Sequence, residues 1–371
     1  MKVFLFGERD IGLSYEKMGI MVKVFYAVGG NGMSFVISIF ILIASLIAIL
    51  FAAALFTNGI EWLGKKLNLS EGAVGSVLAA VGTALPETMI PIVAILSGHA
   101  DSSHVGIGAI LGAPFMLATL AFFVVGVSAR VFKNRKQGST LTVDHSIFQR
   151  DIRFFLIVFA LAAAMAFVHW QWIRYIVAIL LVVLYIVYVY HTVRDGKGVG
   201  ETEIEPLVFA KKAEQPGIFP VVLQVVVALS LIVVGARFFI YSLTDVAQAL
   251  NVSPLLLSLI ISPVATELPE KFNSIFWMRD GKDTLAMGNI TGAMVFQSSV
   301  VPALGIAFTS WELSMTALLS VVLALVSAAI VFYYARRHQR LNANVLIFSG
   351  SFYLVFVGYV ILGSFLGWPV Q

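Results

Sequence analysis

A run of about twenty apolar residues can satisfy its backbone inside a lipid bilayer only by folding as a helix, and this chain contains ten such runs. They lie at about 34–56, 71–96, 104–128, 152–169, 173–193, 218–241, 253–278, 284–308, 313–334 and 343–365. The runs are too long, and too uniformly apolar, to be strands of a membrane barrel. Composition agrees: 60% of residues are hydrophobic and 12% charged, against about a quarter charged in a soluble domain. The sequence has no cysteine, so neither a disulfide framework nor a thiolate metal site can form. In the N-terminal segment, residues 1–33, Arg9, Asp10, Glu16 and Lys17 interrupt any signal-peptide core, and no secretory cleavage is expected.

The longest charged connection, residues 194–217, separates a first group of five runs (34–193) from a second (218–371). Alternate loops carry the basic residues: Lys65 and Lys66, the stretch from Arg130 to Arg153, Arg194 to Lys212, Arg279 and Lys282, and Arg336 to Arg340. Together these hold 17 of the 24 Lys and Arg residues. The positive-inside rule therefore places those loops, including 194–217, in the cytoplasm and both termini outside, in a multi-pass protein of the cell (inner) membrane. Lys2, Arg9, Lys17 and Lys23 before the first run point the other way; five loops outweigh them. Basic residues spread over loops are topology signals rather than a nucleic-acid surface.

The two groups repeat one another. "VGTALPE" (81–87) matches "VATELPE" (264–270) at five of seven positions, and "GAILGA" (108–113) matches "GNITGA" (288–293). Five spans is an odd number, so the second half enters the membrane in the opposite sense. The expected fold is an all-α integral membrane protein of ten transmembrane helices. They form two inverted five-helix repeats, with helices 2 and 7 broken by Pro86 and Pro269. Inverted repeats with matching interrupted helices point to a transport site near the bilayer midplane.

The chemistry follows from residue types. Proline frees a carbonyl one turn earlier, and a cation can satisfy it where water is absent. Thr83 and Glu87 are spaced i,i+4, as are Thr266 and Glu270, so each repeat places a hydroxyl and a carboxylate on one helix face. Oxygen-only ligands suit hard cations such as Ca²⁺ or Na⁺, and two facing carboxylates can also carry protons. Ionisable groups in a span are functional by default, although a packed, protonated glutamate at a kink is the structural alternative. Glu267 stands four residues before Lys271 and is either that lysine's counter-ion or a further ligand. Close helix packing by itself accounts for Gly106, Gly108, Gly112, Gly288 and Gly292. Arg237 is expected to snorkel outward or to pair with Asp245. The six histidines lack metal-ligand spacing. No His-Glu-x-x-His motif or Ser/His pair supports an intramembrane hydrolase, so no enzyme is expected.

These repeats resemble the signatures of the sodium/calcium exchanger family, within the calcium/cation antiporter superfamily: G-T-S-L-P-E followed by G-N-x-x-G-S-N in each half. "GTALPE" (82–87) and "ATELPE" (265–270) carry the first part. The resemblance implies a cation antiporter of divergent prokaryotic type that exchanges Ca²⁺ for Na⁺ by alternating access. Its first and sixth spans would slide across a fixed bundle. It implies that Thr83, Glu87, Thr266 and Glu270 bind the transported ions, with Glu267, Asn289 and Gln297 as further candidates. Partners would be inorganic cations and the lipid bilayer, with no permanently bound cofactor; oligomeric state is not legible. The first half departs from the pattern, with Ala109, Ala113, Pro114 and Leu117 where the family carries polar ligands. That loss leaves proton coupling, or a transport-deficient sensor, as alternatives to sodium exchange.

Overall fold

The computed structural model describes residues 32–66, 85–98, 100–132, 138–195, 205–250 and 252–366. Its helices are α1 (Gly32–Lys66), α2 (Leu85–Leu96), α3 (Ala100–Met116), α4 (Phe122–Val131), α5 (His145–Ala164) and α6 (Gln171–Asp195). They continue with α7 (Ile218–Ala249), α8 (Pro254–Arg279), α9 (Asp283–Phe308), α10 (Met315–His338), α11 (Ala343–Gly350) and α12 (Phe352–Leu366). Among the described residues, seven stretches are long and apolar enough to cross a membrane: Phe35–Leu63, Ser102–Val131, Gln171–Thr192, Ile218–Ala249, Asp283–Phe308, Met315–His338 and Ala343–Gly363. The other three expected runs are helical where described but fall short of that criterion. Arg150, Asp151 and Arg153 sit in the first turns of α5, and the apolar parts of α2 and α8 are Glu87–Leu96 and Pro254–Val264.

Several expectations are corrected by tertiary contacts. The interruption expected at Pro269 is not a break, because α8 remains helical from Pro254 to Arg279 through Pro263 and Pro269. Proline removes one donor, and the bonds on either side can carry the helix past it. Pro86 stands at the second residue of the described part of α2, while Thr83 lies outside the described residues. The third run is one helical path with a π-helical turn, Leu117–Ala121, joining α3 to α4. One carbonyl of the turn, that of Ala118, lies within hydrogen-bond reach of the Ser327 hydroxyl, which also reaches the Ser349 carbonyl of α11. The last run is divided at Ser351, where Gly350 packs so closely on Phe123 that a Cβ would overlap its backbone. The helical chain also has one strand pair, Thr140–Leu141 antiparallel to Leu341–Asn342. Beside it the buried Asp283 carboxylate accepts from the Thr142 amide at 2.9 Å.

Burial divides the bundle into a centre and a margin. The α3–α4 path and α9 are the most enclosed spans, and α1, α6, α7 and the α11–α12 stretch the least. On α1, Phe40, Ile47 and Phe51 face outward, each more than 60% exposed, which suits contact with lipid tails. The marginal pair α1–α7 packs along its length, with Ile49 against Gly235 and Val225 against Gly59. Several of its polar side chains bond across the pair. Ser38 donates to Asp245 at 3.4 Å, and Gln224 donates to the Leu55 carbonyl and to Asn58 Oδ1, both at 2.9 Å. Residues 205–210 fold back over the end of this pair, where the Glu205 carbonyl accepts from Trp62 Nε1 at 2.9 Å and from Asn58 at 3.2 Å. Towards α2 and α3 the pair presents apolar residues instead: Leu42, Ile49, Phe239 and Leu243 meet Ile90, Val93 and Val105.

Candidate functional site

Helix α8 organises the candidate site. Ser258, Ser262, Thr266, Glu270 and Ser274 recur every four residues along it, on an i±4n row that is inclined to the helix axis. Because the row drifts around the helix, it begins against one neighbour and ends against another. Ser258 Oγ donates to the Val105 carbonyl of α3 at 2.7 Å and lies 3.0 Å from Ser262 Oγ. Thr266 Oγ1 donates to the Ser262 carbonyl at 3.0 Å. At the far end, Ser274 Oγ accepts from Asn289 Nδ2 of α9 at 3.4 Å. The crossing of α3 and α8 is tight because two glycines lie in it. A Cβ on Gly108 would overlap the Leu255 carbonyl oxygen, and one on Gly112 that of Leu259. Gly106 likewise packs on Ala94 and Ile95 of α2. Gly288 and Gly292 meet nothing within 4 Å among the described residues, so close packing accounts for the first set and not the second.

Among the described residues, Glu267 and Glu87 are buried on these helices, besides Asp283 at the start of α9. Glu267, 1% exposed, accepts from Gln297 Nε2 of α9 at 3.3 Å. With its Nε2 turned to the carboxylate, Gln297 leaves Oε1 buried and without a hydrogen-bond partner among the described residues. A buried amide oxygen without a donor is the kind of exception that an ion or water explains. Glu87, 6% exposed, lies in the first turn of α2, a helix that packs on α3 and α7 and touches both α8 and α9. The structure thus joins Glu267 to Gln297 and Asn289 to α8, and places Thr266 and Glu87 in the buried interior. The side chains of Glu270 and Lys271 lie outside the described residues, and so does the expected Glu267–Lys271 pairing. Among the described residues, no three of His, Asp and Glu converge as a metal cluster. Arg237 is exposed, as expected for an outward-reaching arginine.

One buried polar group had no sequence signature. Asp151 of α5, 2% exposed, accepts from Tyr188 of α6 at 2.7 Å and from Thr291 of α9 at 2.8 Å, and Arg150 lies 3.3 Å away. Thr291 falls inside the repeated "GNITGA" segment, so the motif helix is anchored to α5 and α6 through this carboxylate. The serines of the α8 row could have been found by counting at period four through the apolar run.

Helices long and apolar enough to cross a membrane, with carboxylate, amide and hydroxyl groups buried where they cross, are the features of a multi-helix membrane protein. The chain belongs to the family described as sodium/calcium exchanger protein, whose sequence profile matches residues 37–194 and 220–362. It is 24% identical over 333 residues, covering 86% of this chain and 99% of the relative, to a protein of Alkalimonas amylolytica bearing the provisional name antiporter CaxA. Its fold is similar to that of a crystallised H⁺/Ca²⁺ exchanger, CAX, at a TM-score of 0.69 and 16% identity, covering 95% of this chain and 93% of the other. The sodium-calcium exchanger NCX_Mj is also similar, at a TM-score of 0.53 and 20% identity, covering 87% and 99%.

Proposed function

We propose that the chain is a secondary active cation antiporter, exchanging Ca²⁺ for Na⁺ or H⁺ across the cell membrane by alternating access. Ten spans in two inverted repeats, with both termini outside, would carry it. The observation that bears most weight is the buried Glu267–Gln297 pair between α8 and α9, with an amide oxygen left over and a second buried carboxylate, Glu87, on a helix touching both. Oxygen ligands with net negative charge bind a hard cation and release it when the charge is neutralised. The peripheral α1–α7 pair supports the expected moving element. Its side chains bond across the pair and to residues 205–210, and an apolar cluster joins it to α2 and α3, so displacement along the bundle exchanges one methyl contact for another there.

A specific observation favours protons as the coupling ion. In the first half, the positions where the family pattern places polar ligands are apolar and buried: Ala109, Ala113 and Leu117. These side chains supply no oxygen, so fewer sodium ions can be held together, while the carboxylates remain able to take up protons. Purified protein in liposomes, assayed for radioactive Ca²⁺ uptake, tests both statements. A pH gradient should drive uptake, a Na⁺ gradient of equal energy should drive less, and Glu87→Gln should abolish it. Uptake that follows neither gradient, or that survives Glu87→Gln unchanged, refutes the antiporter reading.

A further inference from the structure

Where the first turns of α5 approach the last turns of α10, the chain forms a cavity of about 280 Å³ lined by Ser146, Gln149, Arg150, Arg153, Phe332 and Arg336. The four α5 residues are spaced i, i+3, i+4 and i+7, so they share one helix face. The polar groups that line the cavity are three guanidiniums, an amide and a hydroxyl, all able to donate hydrogen bonds. No carboxylate lines it. Asp151, next to Arg150 in sequence, is turned into the bundle towards Tyr188 and Thr291 and shares only part of the Arg150 guanidinium. Among the described residues, no carboxylate pairs with Arg153 or Arg336. A topology signal requires positive charge at this end of the helices, but it does not require three arginines from two helices to converge on one cavity. Like charges gathered in this way repel unless an anion is shared between them.

The same end of α10 borders a second concavity of a different kind. A groove of about 540 Å³, almost wholly apolar, runs between Val326, Ile330 and Tyr333 of α10 and Val345 and Phe348 of α11. Tyr333 and Phe348 are 66% and 58% exposed, on a surface that the spans turn to lipid. Tyr333 and Arg336 are three residues apart on one helix, so groove and arginines occupy neighbouring faces of the same turn. A ligand that suits both has an anionic head and an apolar chain. Guanidinium groups match the oxygens of a phosphate in paired, planar geometry.

We propose that this cavity binds the phosphate of an anionic phospholipid, held by Arg150, Arg153 and Arg336, with an acyl chain lying in the groove of α10 and α11. On the orientation given by loop charge, the lipid belongs to the cytoplasmic leaflet. Because Arg150 also touches Asp151, which accepts from Thr291, only two side chains separate a bound headgroup from the helix that carries Asn289 and Gln297.

Native mass spectrometry of the full chain, purified in mild detergent, tests this with phosphatidylglycerol, phosphatidylethanolamine and inorganic phosphate as separate probes. The unaltered protein should retain phosphatidylglycerol in preference to phosphatidylethanolamine. Arg153→Gln with Arg336→Gln should reduce that preference by tens of fold, about fivefold for each guanidinium removed. Arg153→Lys with Arg336→Lys should restore part of it, since charge returns without the paired geometry. Equal phosphatidylglycerol retention by the unaltered protein and the Gln pair overturns the proposal. So does binding of inorganic phosphate with no phospholipid preference, which would assign the cavity to a soluble anion. Should the Gln pair fail to purify as a monodisperse, helical protein, Arg336→Gln alone makes the same comparison, with a loss of about fivefold expected.

Discussion

Replacing Asp151 by alanine should destabilise the bundle more than any single substitution among its partners. The carboxylate accepts from Tyr188 at 2.7 Å and Thr291 at 2.8 Å, and it faces Arg150 at 3.3 Å, while being 2% exposed. Interhelical hydrogen bonds in membrane bundles contribute about 0.6 kcal/mol on average and up to about 1.7. The two interhelical contacts, to Tyr188 and Thr291, give about 1–3.5 kcal/mol, and the Arg150 pair within α5 adds to it. The Arg150 contribution falls towards the low end, because 28% of that side chain is exposed and the pair is screened. Unfolding of the purified protein by sodium dodecyl sulfate in mixed micelles, followed by circular dichroism, measures the loss. Thr291→Val should cost about 1 kcal/mol alone, and the Asp151→Ala/Thr291→Val cycle should show a coupling of about 1 kcal/mol. If Asp151→Ala costs no more than Thr291→Val, or if the coupling vanishes, Asp151 is not the anchor between α5, α6 and α9.

Four further outcomes are expected. Gly112→Val forces a side chain against the Leu259 carbonyl and the Pro263 ring; it should cost at least about 1–3 kcal/mol and lower the monodisperse yield in size-exclusion chromatography. Gly288→Ala, whose Cβ meets no described neighbour within 4 Å, should change stability by less than about 0.5 kcal/mol. Gln297→Leu removes the donor to Glu267 and an unpartnered buried oxygen, and should raise the Ca²⁺ concentration needed for half-maximal uptake in liposomes by about tenfold or more, corresponding to about 1.5–3 kcal/mol for a hydrogen bond to a charged group. Trp62→Phe deletes one bond to the Glu205 carbonyl, about 0.5–1.5 kcal/mol, and should speed tryptic cleavage at Lys211 and Lys212.

Membrane class and duplication were legible because both are local properties of the chain. A span is a length of apolar sequence, and Thr266, Glu267, Asn289 and Gln297 announced themselves as polar interruptions in one. What they touch was not legible. Glu267 accepts from Gln297, thirty residues away on another helix, a partner that no spacing along α8 announces, while the Lys271 side chain lies outside the described residues. The π-helical turn at Leu117–Ala121 reads as ordinary apolar helix in sequence; Ser327, which donates to its Ala118 carbonyl, is more than 200 residues distant. The same holds for Asp151, which looked like one more charge in a loop beside Arg150 and Arg153. Its role appears only when α6 and α9 bring Tyr188 and Thr291 to it.

The length of the α1–α7 pair makes bilayer thickness a variable of the proposed exchange. At 35 and 32 residues, the two helices are about 52 Å and 48 Å long, against a hydrocarbon layer of about 30 Å. They must tilt or project, and their polar ends, Lys65 and Lys66 on one and Asp245 on the other, fix where each can rest relative to the headgroups. Hydrocarbon lies on their outer face and aliphatic side chains on their inner one, so a shift along the membrane normal changes little except how far those ends are drawn in. Each ångström of mismatch costs a fraction of a kilocalorie per mole. A displacement of several ångströms is therefore biased by lipid thickness on the same scale as a typical coupling free energy of 1–3 kcal/mol. Chain length in the surrounding lipids would then set which side of the membrane the resting carrier faces.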